Sequence, residues 1–192
     1  MNDPELQPQQ NAALNTNLAM DPKPVITPAS VRMAAMNLLT MREHSAKELH
    51  AKLAKKFESN ELISEVIQKL LDDGLQSDER FAEAFVKMRL RQGKGALVIR
   101  MELKEKGIPN NLIEKFITKS EESYGENIDW NQMALKAYVK KYGKTPDFRN
   151  SLSDLKEKAK RVRFLTARGF SSANIQYVFK CTDLGLDEEG DN

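Results

Sequence analysis

Gly93-Lys94-Gly95 is the segment that most invites a phosphate-binding reading. A nucleotide loop needs spaced glycines, then Gly-Lys-Ser or Gly-Lys-Thr, after a buried strand. Here Lys94 stands between two glycines, and helical patterns flank it. The segment reads as a helix stop and a turn that carries a base. Glu43, His44 and Ser45 are adjacent, but a triad needs convergent geometry, and Ser45 is explained as a helix cap. His44 is read as a turn residue. Asp72 with Asp73, and Asp78 with Glu79, fall at helix ends, and acids at a helix start complement the macrodipole. Cys181 is the single cysteine and reads as a packed or partly exposed thiol, not a nucleophile. With only His44 and His50 besides, a metal site has few ligands. No catalytic constellation assembles, and no metal or cofactor is implied.

Charge is the remaining chemical signal. The net charge of the 192 residues is only +2, but it is unevenly spread. Between Val86 and Lys106 seven basic residues face two acids. Between Lys136 and Arg168 eleven face three, whereas Ser30 to Gly74 balances at seven and seven. From Asp183 to Asp191 there are five acids and no base. Such local excess suits a polyanion, bound through counterion release. The plainer alternative is that lysine and arginine decorate solvent faces of helices. The residues nominated from the clusters are Arg89, Arg91, Lys94, Arg100 and Lys104 in the middle of the chain, and Lys140, Lys141, Lys144, Lys160, Arg161 and Arg163 later. Their expected role is electrostatic positioning. Aromatic residues sit on apolar stripes and read as core, and nothing points to base-specific reading.

Those charges are carried by helical patterns. Val31, Ala34, Ala35, Leu38 and Leu39 form one stripe. Ser45 with Glu48 reads as a capping box before Ala46, Leu49 and Leu53. A third helix carries Leu62, Ile63, Val66, Ile67, Leu70 and Leu71 and stops at Gly74. The grammar repeats. Asp78 caps a helix with Phe81, Ala84, Phe85 and Met88. A helix from about Ala96 stops at Gly107, and Ile108-Pro109-Asn110 leads into Leu112, Ile113, Phe116 and Ile117. Asp129 with Gln132 opens a helix bearing Trp130, Met133, Ala134, Ala137 and Tyr138, stopped by Gly143. Another runs from about Asp154 with Leu155, Ala159, Val162 and Leu165 to Gly169, and Ser171 caps the last, with Ile175, Val178 and Phe179. No stretch alternates with period two, so no sheet is expected.

The fold class expected is all-α: three tandem three-helix repeats in an elongated, curved stack of either hand. The expected divisions are a Pro/Asn/Gln-rich arm over 1–29, repeats over 30–76, 77–122 and 126–182, and an acidic tail over 183–192. The arm holds five of the seven prolines and reads as flexible, or as a segment that folds on a partner. Leu103-Lys104-Glu105-Lys106-Gly107-Ile108 aligns with Leu165-Thr166-Ala167-Arg168-Gly169-Phe170, each followed five residues later by isoleucine. The first unit has Phe57 in the equivalent place but lacks the preceding glycine. Units this short bury their apolar stripes by stacking on neighbours. No run of eighteen apolar residues and no apolar leader is present, so a membrane span is not expected and the reducing cytoplasm is. A monomer is the simplest expectation.

The stretches Arg42-Glu43-His44-Ser45-Ala46-Lys47-Glu48-Leu49 and Asp78-Glu79-Arg80-Phe81-Ala82 resemble the RecX family of recombination regulators. So do Arg89-Leu90-Arg91-Gln92-Gly93-Lys94-Gly95, Ile99-Arg100, Glu102 to Ile108, Arg163-Phe164-Leu165 and Arg168-Gly169-Phe170. The likeness covers about Val31 to Lys180. It implies a bacterial cytoplasmic chain of three-helix repeats without enzymatic activity. It also implies binding to the RecA recombinase and to RecA–single-stranded DNA filaments, and inhibition of RecA ATPase, coprotease and strand-exchange activities. No family motif assigns the individual basic residues as contacts. Two other readings stay open: a nucleic-acid-binding module for bare single-stranded DNA or RNA independent of RecA, and a helical scaffold for another protein.

Overall fold

The structure is a computed structural model and describes residues 27–118, 128–143 and 152–183. Among these residues there are nine α-helices and no strand. The arm, the acidic tail and Lys144 lie outside them, apart from a few residues at the inner ends of arm and tail.

The first module comprises α1 (Pro28–Met41), α2 (Ala46–Leu53) and α3 (Asn60–Asp72). The second comprises α4 (Asp78–Arg91), α5 (Ala96–Glu105) and α6 (Asn110–Thr118). The third comprises α7 (Trp130–Tyr142), α8 (Leu152–Arg168) and α9 (Ser172–Asp183). Each module has its own apolar centre. Val31, Ala35, Leu49, Leu53, Ile63, Val66, Ile67 and Leu70 fill the first. Phe81, Phe85, Ile99, Leu103, Ile113 and Phe116 are among those filling the second. Ala134, Tyr138, Leu165, Phe170, Val178 and Phe179 belong to the third.

Local chemistry sets the helix ends. Thr27 and Ser30 cap α1 reciprocally, with Pro28 at the first helical position, where a missing N–H costs nothing. Ser59 caps α3 through the Leu62 amide, and Asp129 caps α7 through the Asn131 and Gln132 amides. Two expected caps differ. Ser77, not Asp78, caps α4. The Asp78 carboxylate instead accepts the Ala46 amide of the first module at 2.8 Å. Ser45 accepts the Glu48 amide, but the Glu48 carboxylate goes to Arg42 and Lys106, so the reciprocal half of that box is given up to the neighbouring module.

Two expected stripes are also corrected. In α4 the buried residues are Phe81, Ala82, Phe85 and Val86, while Ala84 and Met88 face outward. The i, i+1 pairing of apolar residues rotates the stripe away from Met88. On α8, Leu155 and Ala159 are exposed and Leu165 is buried, because only the last turns of this helix reach the core.

Candidate polyanion-binding cleft

Two joints connect the modules, and they share a design. At the first, the Ser45 hydroxyl, at the N-cap of α2, donates to the carbonyl of Lys106 at 2.8 Å. At the second, the Gly95 amide, at the N-cap of α5, donates to the carbonyl of Arg168 at 2.7 Å. In both, the start of one module's middle helix meets the glycine turn that ends the next module's middle helix. The Leu97 amide adds a bond to Gly169 O at 3.1 Å. Gly169 has φ +90°, and a Cβ there would lie 2.7 Å from Val98 Cβ. At Gly95 a Cβ would run into the Gly169 carbonyl and lie 2.6 Å from Phe170 N. Two backbones therefore touch where neither has a side chain.

The first joint is closed by polar groups. Gln76 Nε2 donates to His44 O at 3.0 Å, and Arg80 Nε to Glu43 at 2.8 Å. Glu48 lies between Arg42 and Lys106, at 3.1 and 2.6 Å. Burial pushes its pKa up, but hydrogen bonds and charge from Lys106 and Arg42 outweigh that and hold it below the usual value. His44 is buried at 2% exposure. Its Nε2 accepts from Lys52 Nζ at 2.9 Å, so Nδ1 carries the proton and donates to Arg42 O at 2.9 Å. Burial lowers its pKa. The backbone bond to Arg42 opposes that, and the charges of Arg42 and Lys52 lower it further.

The second joint opens into a cleft of about 660 Å³. Its walls are the end of α4 with its turn (Leu90, Arg91, Gln92, Gly93), one face of α7 (Met133, Lys136, Ala137, Lys140, Lys141), and Phe164 and Arg168 of α8. Five of these residues are cationic and none is acidic. Lys136, Lys140 and Lys141 are exposed. The Phe164 ring holds two of the cations: Lys141 Nζ lies 4.1 Å and Arg168 Cζ 4.7 Å from its centroid. Tyr142 meets that ring edge-on at 5.4 Å. Arg168 also donates to Gln92 O at 3.0 Å and Gly93 O at 3.2 Å, where the end of α4 leaves carbonyls unbonded. Like charges held together in a concave space focus positive potential, which an anion relieves.

Of the nominated residues, Arg91, Lys140 and Lys141 meet in this cleft. Four others are engaged within modules, Lys160 among them through Glu157 at 3.4 Å. Arg89 pairs with Glu102 at 2.6 Å and lies 4.9 Å over Phe85. Arg100 grips Glu114 with two bonds, at 2.8 and 2.9 Å, which hold that carboxyl below its usual pKa. Arg161 reaches the Tyr138 hydroxyl at 2.6 Å and Glu157 at 3.2 Å. Lys94, Lys104 and Arg163 stand elsewhere on the surface, outside the cleft lining. Lys136 and Arg168 were counted in the basic stretch but not nominated. The i, i+4 spacing of Lys136 and Lys140 was the available signal. Arg168 stands in the repeated glycine stop, but nothing in that motif marks it as a binding residue, and the fold places it in the cleft. Cys181 is buried, and no group of three His, Cys, Asp or Glu able to hold a metal occurs among the described residues.

The fold and the cleft define an all-helical tandem-repeat protein with a cationic joint between its second and third modules. Three family descriptions match in order: "RecX, first three-helix domain" over residues 32–70, "RecX, second three-helix domain" over 77–116 and "RecX, third three-helix domain" over 129–179. The chain belongs to the RecX family of regulatory proteins. Regulatory protein RecX of Chromohalobacter salexigens is 36% identical over 150 residues, covering 78% of this chain and 91% of that protein. Its counterpart in Legionella pneumophila is 40% identical over 147 residues, covering 77% and 91%. The crystal structure of RecX from Lactobacillus salivarius matches with a TM-score of 0.63 at 25% identity, over 82% of this chain and 97% of that one. A crystal structure titled regulatory protein RecX matches in fold, with a TM-score of 0.65 at 21% identity, over 80% and 73%. No described helix is long and apolar enough to cross a membrane.

Proposed function

We propose that this chain binds the RecA recombinase and RecA–single-stranded DNA filaments, and inhibits RecA ATPase, coprotease and strand-exchange activity without chemistry of its own. Membership of a family of regulatory proteins supports the reading. The observation that carries it is the cleft in which Arg91, Lys136, Lys140, Lys141 and Arg168 converge without a carboxylate. Arginine and lysine suit phosphate oxygens, arginine through paired bonds and lysine as a point charge. A filament groove is long and periodic, and modules joined in series present a surface of matching kind. In this reading the cleft docks on the polyanionic core of the filament, and the other modules lie against recombinase subunits. The chain works as a monomer in the cytoplasm, where RecA filaments form.

The test is a titration of the protein into RecA hydrolysing ATP on single-stranded DNA. Inhibition is expected at or below stoichiometric amounts, with no hydrolysis when RecA is omitted. The doubly reversed variant Lys136→Glu/Lys140→Glu should inhibit far less while keeping its helicity. Full inhibition by that variant rules out the cleft. Binding to bare single strands as tight as to RecA-coated strands replaces this reading with that of a general nucleic-acid-binding module.

A further inference from the structure

Arg168 differs from the other four cations of the cleft. Arg91, Lys136, Lys140 and Lys141 are exposed, whereas Arg168 is half-buried and held in place. Its Cζ lies 4.7 Å from the centroid of the Phe164 ring, which Tyr142 braces edge-on at 5.4 Å. Its Nη1 donates to Gln92 O at 3.0 Å and to Gly93 O at 3.2 Å, so both hydrogens of that nitrogen are used. A planar guanidinium tied at one corner and backed by a ring has its orientation set before any ligand arrives.

What remains is one edge. Among the described residues, none accepts from Nε or Nη2 of Arg168, and no carboxylate pairs with it. That edge carries two parallel N–H donors, spaced for two oxygens on a single centre. Arg100 uses the same edge within the second module, where Nε and Nη2 hold the two oxygens of Glu114 at 2.8 and 2.9 Å. At Arg168 no acid lines the surroundings, and Lys141 Nζ sits 4.1 Å from the centroid of the same Phe164 ring. The fork is therefore built and left without its anion inside a cationic cleft. A phosphodiester offers two free oxygens on one phosphorus, and its neighbours along a strand supply the further charge that the lysines attract.

We propose that Arg168 sets the register of a bound strand: its Nε/Nη2 edge takes both free oxygens of one phosphodiester. Phe164 and the carbonyls of Gln92 and Gly93 hold the guanidinium for that contact. Arg91, Lys136, Lys140 and Lys141 add charge around the point without fixing which atoms meet. The inference rests on the reading of the cleft as a polyanion site and names the group that recognises the polyanion's chemistry.

Nitrogen-edited NMR of the full chain reads the edge directly. The Arg168 Nε–H resonance, traced through the residue's own aliphatic carbons, should shift when oligothymidylate is added and exchange more slowly with water. The methylphosphonate analogue, with the same bases and no backbone charge, should leave it in place. A resonance that stays still while the strand binds overturns the proposal, and so does one that the neutral analogue moves equally. Fluorescence anisotropy with labelled oligothymidylate then separates geometry from charge. Arg168→Lys keeps the charge but replaces two aligned bonds by a point charge, and should bind roughly ten-fold more weakly. Affinity equal to the parent's overturns the proposal. Where the loss comes with a red shift of Trp130 emission, the joint has loosened, and the resonance of the parent chain decides. If the parent does not bind oligothymidylate at all, the cleft is not a polyanion site and the inference falls with it. Binding by the parent with an unmoved Arg168 signal sinks the inference alone.

Discussion

The backbone N–H of Gly95 donates to the carbonyl of Arg168 at 2.7 Å, across 73 positions of sequence, and fastens the second module to the third. That contact places the side chain of Arg168 over the end of α4, beside Arg91, and thereby builds the cleft. The joint and the charged surface are one structure. Weakening the joint should also weaken what the cleft binds.

Gly95→Ala tests the joint directly. Its methyl has no room against Gly169 and Phe170, and overpacking of this kind costs about 1–3 kcal/mol. Trp130, the single tryptophan, opens α7 yet packs on the core of the second module, so its fluorescence reports the joint. The variant should shift the Trp130 emission to longer wavelength at constant helicity. Gly74→Ala, at φ +67° with open space around it, should cost about 1 kcal/mol and leave the emission unchanged.

Arg89 and Lys136 should separate stability from binding. Arg89→Ala removes a half-buried pair with Glu102 and a contact over Phe85, a loss of about 1–3 kcal/mol by urea denaturation. Its affinity for single strands should match the parent's. Lys136→Glu should leave the urea midpoint in place and weaken strand binding, with the salt dependence reduced by about 0.7 per lost phosphate contact. The reverse pattern would place the binding surface on α4 and α5.

Stability should fall as pH drops below about 6.5, because of His44. Its pKa is lowered in the folded chain, so the unfolded chain binds the proton first. The stability it contributes is fully present above the unfolded value near 6.5 and is lost as pH falls through the folded value. Urea midpoints across this range should slope for the parent and flatten for His44→Gln. An NMR titration should place the midpoint of the ring below the ordinary histidine value.

Glu48→Gln should loosen the first joint. The carboxylate bridges Arg42 and Lys106, and its removal leaves two cations facing each other, at a cost of about 1–3 kcal/mol. The sign with pH is that of a lowered carboxyl: the contribution is present above the unfolded value near 4.5 and lost below it. Glu157→Gln removes an exposed carboxylate of α8 and should change the thermal midpoint far less.

The missing glycine of the first module acquires a reason from the joints. Gly107 and Gly169 end the middle helices of the second and third modules, and each packs against the module before it, on Lys47 and Val98. In the first module the corresponding turn, before Phe57, has no preceding module to meet among the described residues. Side chains are tolerated there.

Helix types, their order and the triplet repeat were legible in the residues themselves. Apolar period, caps and glycine stops act within a few residues, and each module closes a core of its own. Charge asymmetry was legible too, as a count along the chain. Which cations converge was not. Arg89, Arg100 and Arg161 look like Arg91 in a sequence, and only packing shows that Glu102, Glu114 and Tyr138 take them up. Arg91 meets Lys136 and Arg168 because two backbones 73 residues apart touch at glycines, and contact between distant segments is set by tertiary geometry, on which local spacing has no hold.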